Sequence, residues 1–371
     1  MIIDTVLLGK RRFFLKFFSL VFSLCIVILS TGITQAQQPY FYKGYDYGSD
    51  AVYNPVSVIL NGGFDMFQVN RRRDIGKVPF YHSGNNVLKN VLHPIGPISR
   101  YGWWNFVQEQ IIPVSFNRNN AQYWPNYTLH LVGSGMEYTK LKEWYRYNEY
   151  PNPQILSIVT LYTYHFINEV VENDRHVGDN VDPIADLWLF DAGAIVLFSF
   201  DNVNQFFSET LNLADWSLQP SFSARDISLH NVGQFFSVKW KFPFAERWHL
   251  FYYFGTNGLG GVSYKWPDGD AFSFGIGMAA SDLILLNPNS NKTTLDLVWN
   301  VGLFYDRNNS LLASLSITKK TDYIANLNIY PGIIRIGTFS PGLWCAYSER
   351  ENIILGLTAS WSPVGVAMSS R

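Results

Sequence analysis

The chain has 371 residues, with 28 Lys and Arg against 29 Asp and Glu, and its aromatics (17%) outnumber its charged residues (15%). Soluble domains carry about 25% charge, so this surface is short of charge for a protein bathed in water, and the near-neutral balance excludes nucleic acid as a natural partner. Cys25 and Cys345, one of them inside the export signal described next, exclude a disulfide framework and a cysteine metal site.

Residues 1–36 read as a signal peptide. Lys10, Arg11, Arg12 and Lys16 form a basic start, Phe17 to Leu29 an apolar middle, and Thr34-Gln35-Ala36 a small-residue cleavage site. Cleavage after Ala36 leaves a mature chain with a net charge of about −4; a retained membrane anchor is the alternative. From Gln37 to Tyr53 the Tyr/Gly-rich sequence predicts irregular structure, and Pro55 to Val69 predicts a first strand or bent hairpin broken at Gly62-Gly63. Arg71-Arg72-Arg73 reads as a solvated turn, with lipid phosphates as the functional alternative. A short amphipathic helix lies between His93 and Pro113, where Trp103, Trp104 and Phe106 suit a membrane–water interface or a core. Ser134 and Glu137 match a capping box, predicting a helix from about Gly135 to Tyr147 whose Glu143, Arg146 and Glu149 form a solvated ladder.

Pro153 to Phe200 carries the chemistry. Two apolar runs, each long enough for about five helical turns, flank a polar hinge. Pro153 and Pro183 fit first helical turns, and Asp182 is a natural N-cap for the second run. His165, Glu169 and Glu172 share one face of the first helix by their spacing of four and three; Asp182 and Asp186 share one face of the second. Arg175 sits in the hinge. A helical hairpin brings the two acidic faces together. His82, His93, His130, His230 and His249 read as isolated surface or interface residues, with an extension of the hairpin cluster by Glu137 and His130 as the alternative.

Beyond Trp216 the period changes to two. Phe236, Val238, Trp240 and Phe242 alternate with Ser237, Lys239 and Lys241; Phe272, Phe274, Ile276 and Met278 alternate with Ser273, Gly275 and Gly277. Thr294–Asp306, Leu311–Thr318 and Ile353–Trp361 repeat the pattern. Turn signals fall at Gly258 to Gly261, Pro267 to Gly269, Asn287 to Asn291, Arg307 to Asn309, Pro331-Gly332 and Glu349 to Asn352. About ten strands of roughly ten residues fit this half. The fold expected is mainly β with helices: a transmembrane antiparallel β-barrel of about ten to twelve strands over residues 216–371. The helical half, residues 37–215, forms an internal or periplasmic plug in one integrated membrane domain. A soluble sandwich shows the same alternation and is the competing fold.

The hairpin also resembles the helix pair of VanZ-like membrane proteins. Glu169, Glu172, Arg175, Asp182, Asp186 and Gly193 carry the likeness, over about 30 residues; the chain departs from the pattern at Glu172 and Asp191, where the family has Gln and Asn. A similar acid-rich helix pair belongs to uncharacterised outer-membrane barrels of Gram-negative bacteria. The resemblance implies a site on the hairpin and a link to envelope lipid or cell-wall chemistry, and it supplies no reaction. It supplies no cofactor.

Three readings of the hairpin follow. It is a plug whose acids Arg175 and lumen lysines neutralise. It is an acid–base site in which His165 is the base, a carboxylate orients it, and Glu169, Glu172, Arg175, Asp182 and Asp186 complete the centre; the substrate is then an ester or phosphoester of an envelope lipid. Or it is a divalent-metal site built from His165, Glu169 and an Asp of the second helix. No Gly-x-Ser-x-Gly elbow is present. Membrane lipids are the expected partners.

Overall fold

In the computed structural model residues 38–70, 73–112, 124–287, 292–320 and 322–370 are described, and the signal-peptide reading of residues 1–36 lies outside them. The chain is mixed helix and sheet, with a helical first half and one large antiparallel sheet in the second.

The first helical element overturns an expectation. Pro55–Val69 is not a strand: Pro55–Gly63 is a helix, α1, and Phe67–Asn70 a further turn of helix. The Asn54 side chain accepts from the Val56 and Ser57 amides while the Ser57 hydroxyl accepts from the Asn54 amide, a closed cap that the apolar pattern does not reveal. Gly62-Gly63 is no break but a seat for another helix. A Cβ at Gly62 would lie 2.4 Å from Cδ2 of Tyr164, and one at Gly63 2.9 Å from Cγ2 of Ile167. Gly62→Ala is therefore expected to destabilise the protein by about 1–3 kcal/mol through overpacking, read as a lower unfolding midpoint with unchanged helical signal.

Helix α2 spans Phe80–Leu92, an element the sequence reading passed over. After it come short helices at Ile95–Tyr101 and Trp103–Phe106, turned at Gly102 with φ 99°. Phe106 is fully buried, while Trp104 is 64% exposed. Helix α3, Ser134–Tyr147, runs on without a break from a π-helical stretch, Trp124–Gly133. Its Glu143 is not part of a solvated ladder; it is buried and accepts from the Tyr40, Phe41 and Tyr42 amides, pinning the N-terminal segment. Helix α4, Pro153–Asn173, and helix α5, Asp182–Leu197, form the expected hairpin, and α6, Asp201–Thr210, leaves it at an angle of 87°. No single helix among the described residues is long and apolar enough to cross a membrane; only the bent pair α5–α6 reaches that measure jointly.

Thirteen strands follow in one sheet, in the order β1-β4-β5-β6-β7-β8-β9-β10-β11-β12-β13-β2-β3. They are β1 (Ala214–Asp215), β2 (Ser221–Ser223), β3 (Ser228–His230), β4 (Phe236–Phe242), β5 (Ala245–Phe254), β6 (Asn257–Lys265) and β7 (Asp270–Asn287). The rest are β8 (Lys292–Arg307), β9 (Ser310–Thr318), β10 (Ala325–Ile329), β11 (Pro341–Ser348), β12 (Asn352–Ala359) and β13 (Gly365–Ser369). As a ladder of neighbours the sheet is open, ending at β1 and β3. Every pair is antiparallel except β13 with β2, where Gly365 and Val366 lie beside Ser221 and Phe222. Asn308 and Asn309, both at positive φ (51° and 67°), make the tight β8–β9 turn that right-twisted strands accept. The turn expected at Gly258–Gly261 is instead the first half of β6. A Cβ on Gly261 would come 1.9 Å from the Phe274 carbonyl oxygen, so Gly261 serves close strand approach, whereas Gly260 faces open space. The turn expected at Asn287–Asn291 lies mostly outside the described residues, apart from Asn287 at the end of β7.

The two faces of the sheet are inverted relative to a soluble protein. In β7, Phe272, Phe274, Ile276 and Met278 are 41–59% exposed while Ser273 between them is fully buried; in β12, Ile353, Leu355 and Leu357 are exposed and Thr358 is buried. The covered face is polar over much of its area. Lys239 pairs with Asp306 at 2.7 Å, Ser273 donates to Ser263 at 2.8 Å, and Asn231 and Asn328 bond at 2.8 Å. It also holds an aromatic cluster of Trp216, Phe235, Phe251, Tyr253, Phe304 and Tyr330, which the expectation of a polar lumen did not include. Asn61 at the end of α1 donates to the Leu218 carbonyl and accepts from the Gly233 amide, seating the helical half on the sheet. Arg73 is no solvated turn: it pairs with Asp322 at 2.9 Å and Glu351 at 2.8 Å and lies 4.3 Å over the Tyr323 ring. Arg71 and Arg72 lie outside the described residues.

The α4–α5 hairpin does not enter the covered face. Its core, with Met136, Leu161, Tyr164, Ile195 and Phe198, continues onto Phe236, Val238, Tyr252 and Phe254. Those four stand on the same side of β4 and β5 as the exposed Trp240, Trp248 and Leu250. The internal-plug expectation for the hairpin is thereby corrected. Helix α5 is buried against protein through Leu187, Ala192, Ala194 and Ile195.

Candidate functional site

Helix α4 presents His165, Glu169 and Glu172 on one face, as their spacing requires. Helix α5 begins differently from the expectation. Asp182 makes no side-chain cap; its carboxylate instead joins those of Glu169 and Asp186, with one oxygen of each within 4.8 Å of the others. The helix then widens into a π turn at Asp186–Phe190. Backbone bonds there run i→i+5, so Asp191, five residues after Asp186, comes onto the same face. The π stretch before α3 delivers His130 and Ser134 to the same place. The capping box predicted at Ser134 and Glu137 is absent because the helix has already begun; Glu137 accepts instead from the Tyr53 hydroxyl at 2.8 Å.

Three residues from three helices form a chain. His165 Nδ1 lies 2.5 Å from Asp191 Oδ2, and His165 Nε2 lies 3.3 Å from Ser134 Oγ. The Ser134 hydroxyl also has the Leu129 carbonyl within 3.2 Å. His130 stands beside them, its ring 4.9 Å from that of His165, with Nε2 3.6 Å from Asp186 and Nδ1 3.7 Å from Asp191. Ser134, His165, Glu169, Asp186 and Asp191 are all at most 5% exposed.

Burial and crowding set the protonation states. Burial, then Asp186 and Asp182, push Glu169 well above the usual carboxylate range. Burial with Asp182 raises Glu172 to about 7, and burial with Asp186 raises Asp182 to about 7. Asp186, raised by burial and held back by His130, reaches about 6. Burial pulls His130 down, yet Asp186 and Asp191 outweigh it and raise the ring to about 9. His165 is lowered, chiefly by burial. Burial would raise Asp191, but its two histidines hold it low. His165 is the larger influence of the two and His130 the smaller; with the Asp191 carboxylate at Nδ1, the neutral form of the His165 ring carries its proton there. In that tautomer Nε2 is an acceptor for the Ser134 hydroxyl.

Carboxyls whose folded pKa is raised bind more protons folded than unfolded from about pH 4 upward, and His130 does so from about pH 6.5 to its own value of about 9. Both contributions are lost as pH rises. In chelator-treated protein the unfolding midpoint is therefore expected to be lower at pH 8 than at pH 5. Glu169→Gln should flatten that slope, and an unchanged slope would contradict the assignment.

The hairpin thus gathers five of the residues expected at the site: His165, Glu169, Glu172, Asp182 and Asp186. The sixth, Arg175, is exposed beyond the end of α4 and does not neutralise them, which corrects its inclusion. Sequence reasoning missed Ser134 and Asp191 as site residues and offered His130 only together with Glu137, which faces Tyr53 instead. Only the Gly133-Ser134-Gly135 run hinted at a serine needing close neighbours: a Cβ on Gly135 would fall 2.0 Å from the Phe198 ring. No family model matches the chain, and neither a curated protein nor a solved structure is significantly similar to it. The VanZ-like likeness therefore rests on the hairpin residues alone.

Proposed function

We propose that the chain is an outer-membrane β-barrel protein whose helical half hydrolyses an ester of an envelope lipid, with Ser134 as nucleophile, His165 as base and Asp191 as the group that orients it. The observation that carries the membrane part is the inverted sheet, with aromatic and aliphatic side chains exposed and serine, asparagine and an ion pair enclosed. A soluble sandwich would bury the former; a barrel in lipid exposes them.

Closure of the barrel is supported by the strand path. Residues 214–237 form one bent hairpin, in which the Trp216 amide donates to Phe235 and the Leu218 amide to Gly233 between the two strand pairs. Joining β1 to β2 and β3 to β4 turns thirteen strands into eleven walls, within the expected ten to twelve. An odd meander that closes needs one parallel seam, and the parallel pairing of β13 with β2 is consistent with one.

The catalytic part rests on the Ser134–His165–Asp191 chain, in which each ring nitrogen meets the partner its role requires. The base takes the hydroxyl proton through Nε2 as Oγ attacks the ester carbonyl. The same proton then passes to the departing alcohol, and a water repeats the sequence to release the acyl group. Ser134 is enclosed, so substrate reaches it by displacing a covering ring. Phe198 lies against Gly135 with its ring 5.0 Å from that of Phe207 at a tilt of 30°, and next to Phe207 is the exposed Phe206, an apolar path suited to an acyl chain. The helical core leans on the lipid-facing side of β4 and β5, where such a substrate would arrive.

Lipid profiling of cells with and without the gene tests the reading. Wild type should remove an acyl group from one envelope lipid, and Ser134→Ala should leave it in place while inserting normally. An identical profile in all three strains would overturn the enzyme and leave a plugged, structural barrel, which the filled covered face would also suit.

A further inference from the structure

Five carboxylates converge on the α4–α5 hairpin: Glu169, Glu172, Asp182, Asp186 and Asp191. The two histidines beside them, His130 and His165, cannot balance five carboxylates even with both rings protonated. Among the described residues, the buried lysine and arginine ion pairs lie elsewhere: Arg73 with Asp322 and Glu351, Lys140 with Asp50 and Asp215, Lys239 with Asp306. Buried carboxylates that stay without a partner are expensive.

Two observations independent of acid content point to what is bound there. The first is geometric. Two oxygens on one ion at about 2.4 Å cannot stand more than about 4.8 Å apart, and oxygens of Glu169, Asp182 and Asp186 all lie within 4.8 Å of one another. The second is an orphan: Asp186 Oδ1 is shut off from solvent and has no hydrogen-bond partner, on a side chain only 6% exposed. His130 stands beside this carboxylate through Nε2, 3.6 Å from its other oxygen.

We propose that Glu169, Asp182 and Asp186 hold one divalent cation of the hard, oxygen-seeking class, with His130 at its edge, and that this cation neutralises the hairpin. The donor set is carboxylate oxygen, which selects Ca2+, Mg2+ or Mn2+ over thiophilic metals. His165 is not a ligand, since both its ring nitrogens are engaged by Asp191 and Ser134; this changes the donor set expected from sequence. The site stands apart from the Ser134 chain and does not depend on hydrolysis. Its effect there is to hold α4 and α5 together at the point where Asp191 is aimed.

The test uses the full mature chain refolded in detergent micelles, stripped with chelator and titrated with MnCl2, bound Mn2+ being counted by electron paramagnetic resonance. Wild type should bind one ion per chain, and the ion should raise the unfolding midpoint at pH 8 more than at pH 5. Asp186→Asn and Glu169→Gln should each weaken binding at least about tenfold, whereas Ser134→Ala should bind as wild type does. If Asp186→Asn does not refold, the wild-type titration and Glu169→Gln decide alone. No Mn2+ or Ca2+ bound by wild type at about 1 mM, or equal binding by Glu169→Gln, would overturn the proposal and leave shared protons as the neutralising charge. Normal binding by a protein that hydrolyses nothing would leave the cation site standing and remove only the hydrolase.

Discussion

Asp191→Asn is expected to lower turnover of an acyl ester about a thousandfold or more while the protein still refolds. The carboxylate accepts from His165 Nδ1 at 2.5 Å and thereby leaves Nε2 free to take the Ser134 proton. An asparagine of the same shape can present its amide to the ring, and the tautomer with Nε2 protonated is then the stable one. That tautomer cannot act as base. Because Asp191 is fully buried, water cannot restore the carboxylate's role. The rate should be followed on p-nitrophenyl esters of several chain lengths, with refolding checked by the shift of the unheated band on a gel. A variant within about threefold of wild type, well inside what positioning alone explains, would remove Asp191 and the relay from the account.

Lys140→Met is expected to be the most destabilising single change to an ion pair, by about 3–5 kcal/mol. Its ammonium lies 3.1 Å from Asp215, 3.5 Å from Asp50 and 4.0 Å over the Tyr53 ring, and the side chain is only 3% exposed. The contact joins three parts of the chain: the N-terminal segment through Asp50, α3 through Lys140 itself, and β1 through Asp215. Glu137, one turn away, is raised to about 8 by burial and by Asp215, so it adds little negative charge to the set. Removing the cation strands two buried carboxylates. Adding Asp215→Asn to Lys140→Met should recover part of the loss, because it removes one of them. Denaturant unfolding of the three proteins measures both effects, and a loss below about 1 kcal/mol, the range of exposed pairs, would mean the site is open to water.

The sheet was legible because one rule governs it. A strand with one exposed apolar face and one enclosed polar face alternates strictly, and Phe236–Phe242 is observed with its expected bounds. Glycines blurred the picture only in β6, where close strand approach imitates a turn. The α4–α5 hairpin was legible from proline, apolar length and acidic spacing. Helix α1 was not, since its Val and Ile residues favour strands and only the Asn54–Ser57 cap decides otherwise. The catalytic chain was hidden for a different reason. Helical spacing rules assume 3.6 residues per turn, and the π turns before Ser134 and at Asp186–Phe190 break that count at the positions that bring Ser134, His130 and Asp191 to His165. Ser134 also fitted a capping box, a local reading that a continuous helix cancels.

Cysteine labelling in bilayers tests the central claim most directly. In a Cys345→Ser background, single cysteines replace Ile276 and Leu355 on the exposed face and Ser273 and Thr358 on the covered face, and the refolded protein in lipid vesicles meets a bilayer-partitioned maleimide. The account predicts labelling at Ile276→Cys and Leu355→Cys, protection at the other two, and the reverse preference for none of them with a water-soluble reagent. Recovery of the protein in the aqueous phase, with Ile276→Cys labelled by the water-soluble reagent and untouched by the lipid-soluble one, would contradict it.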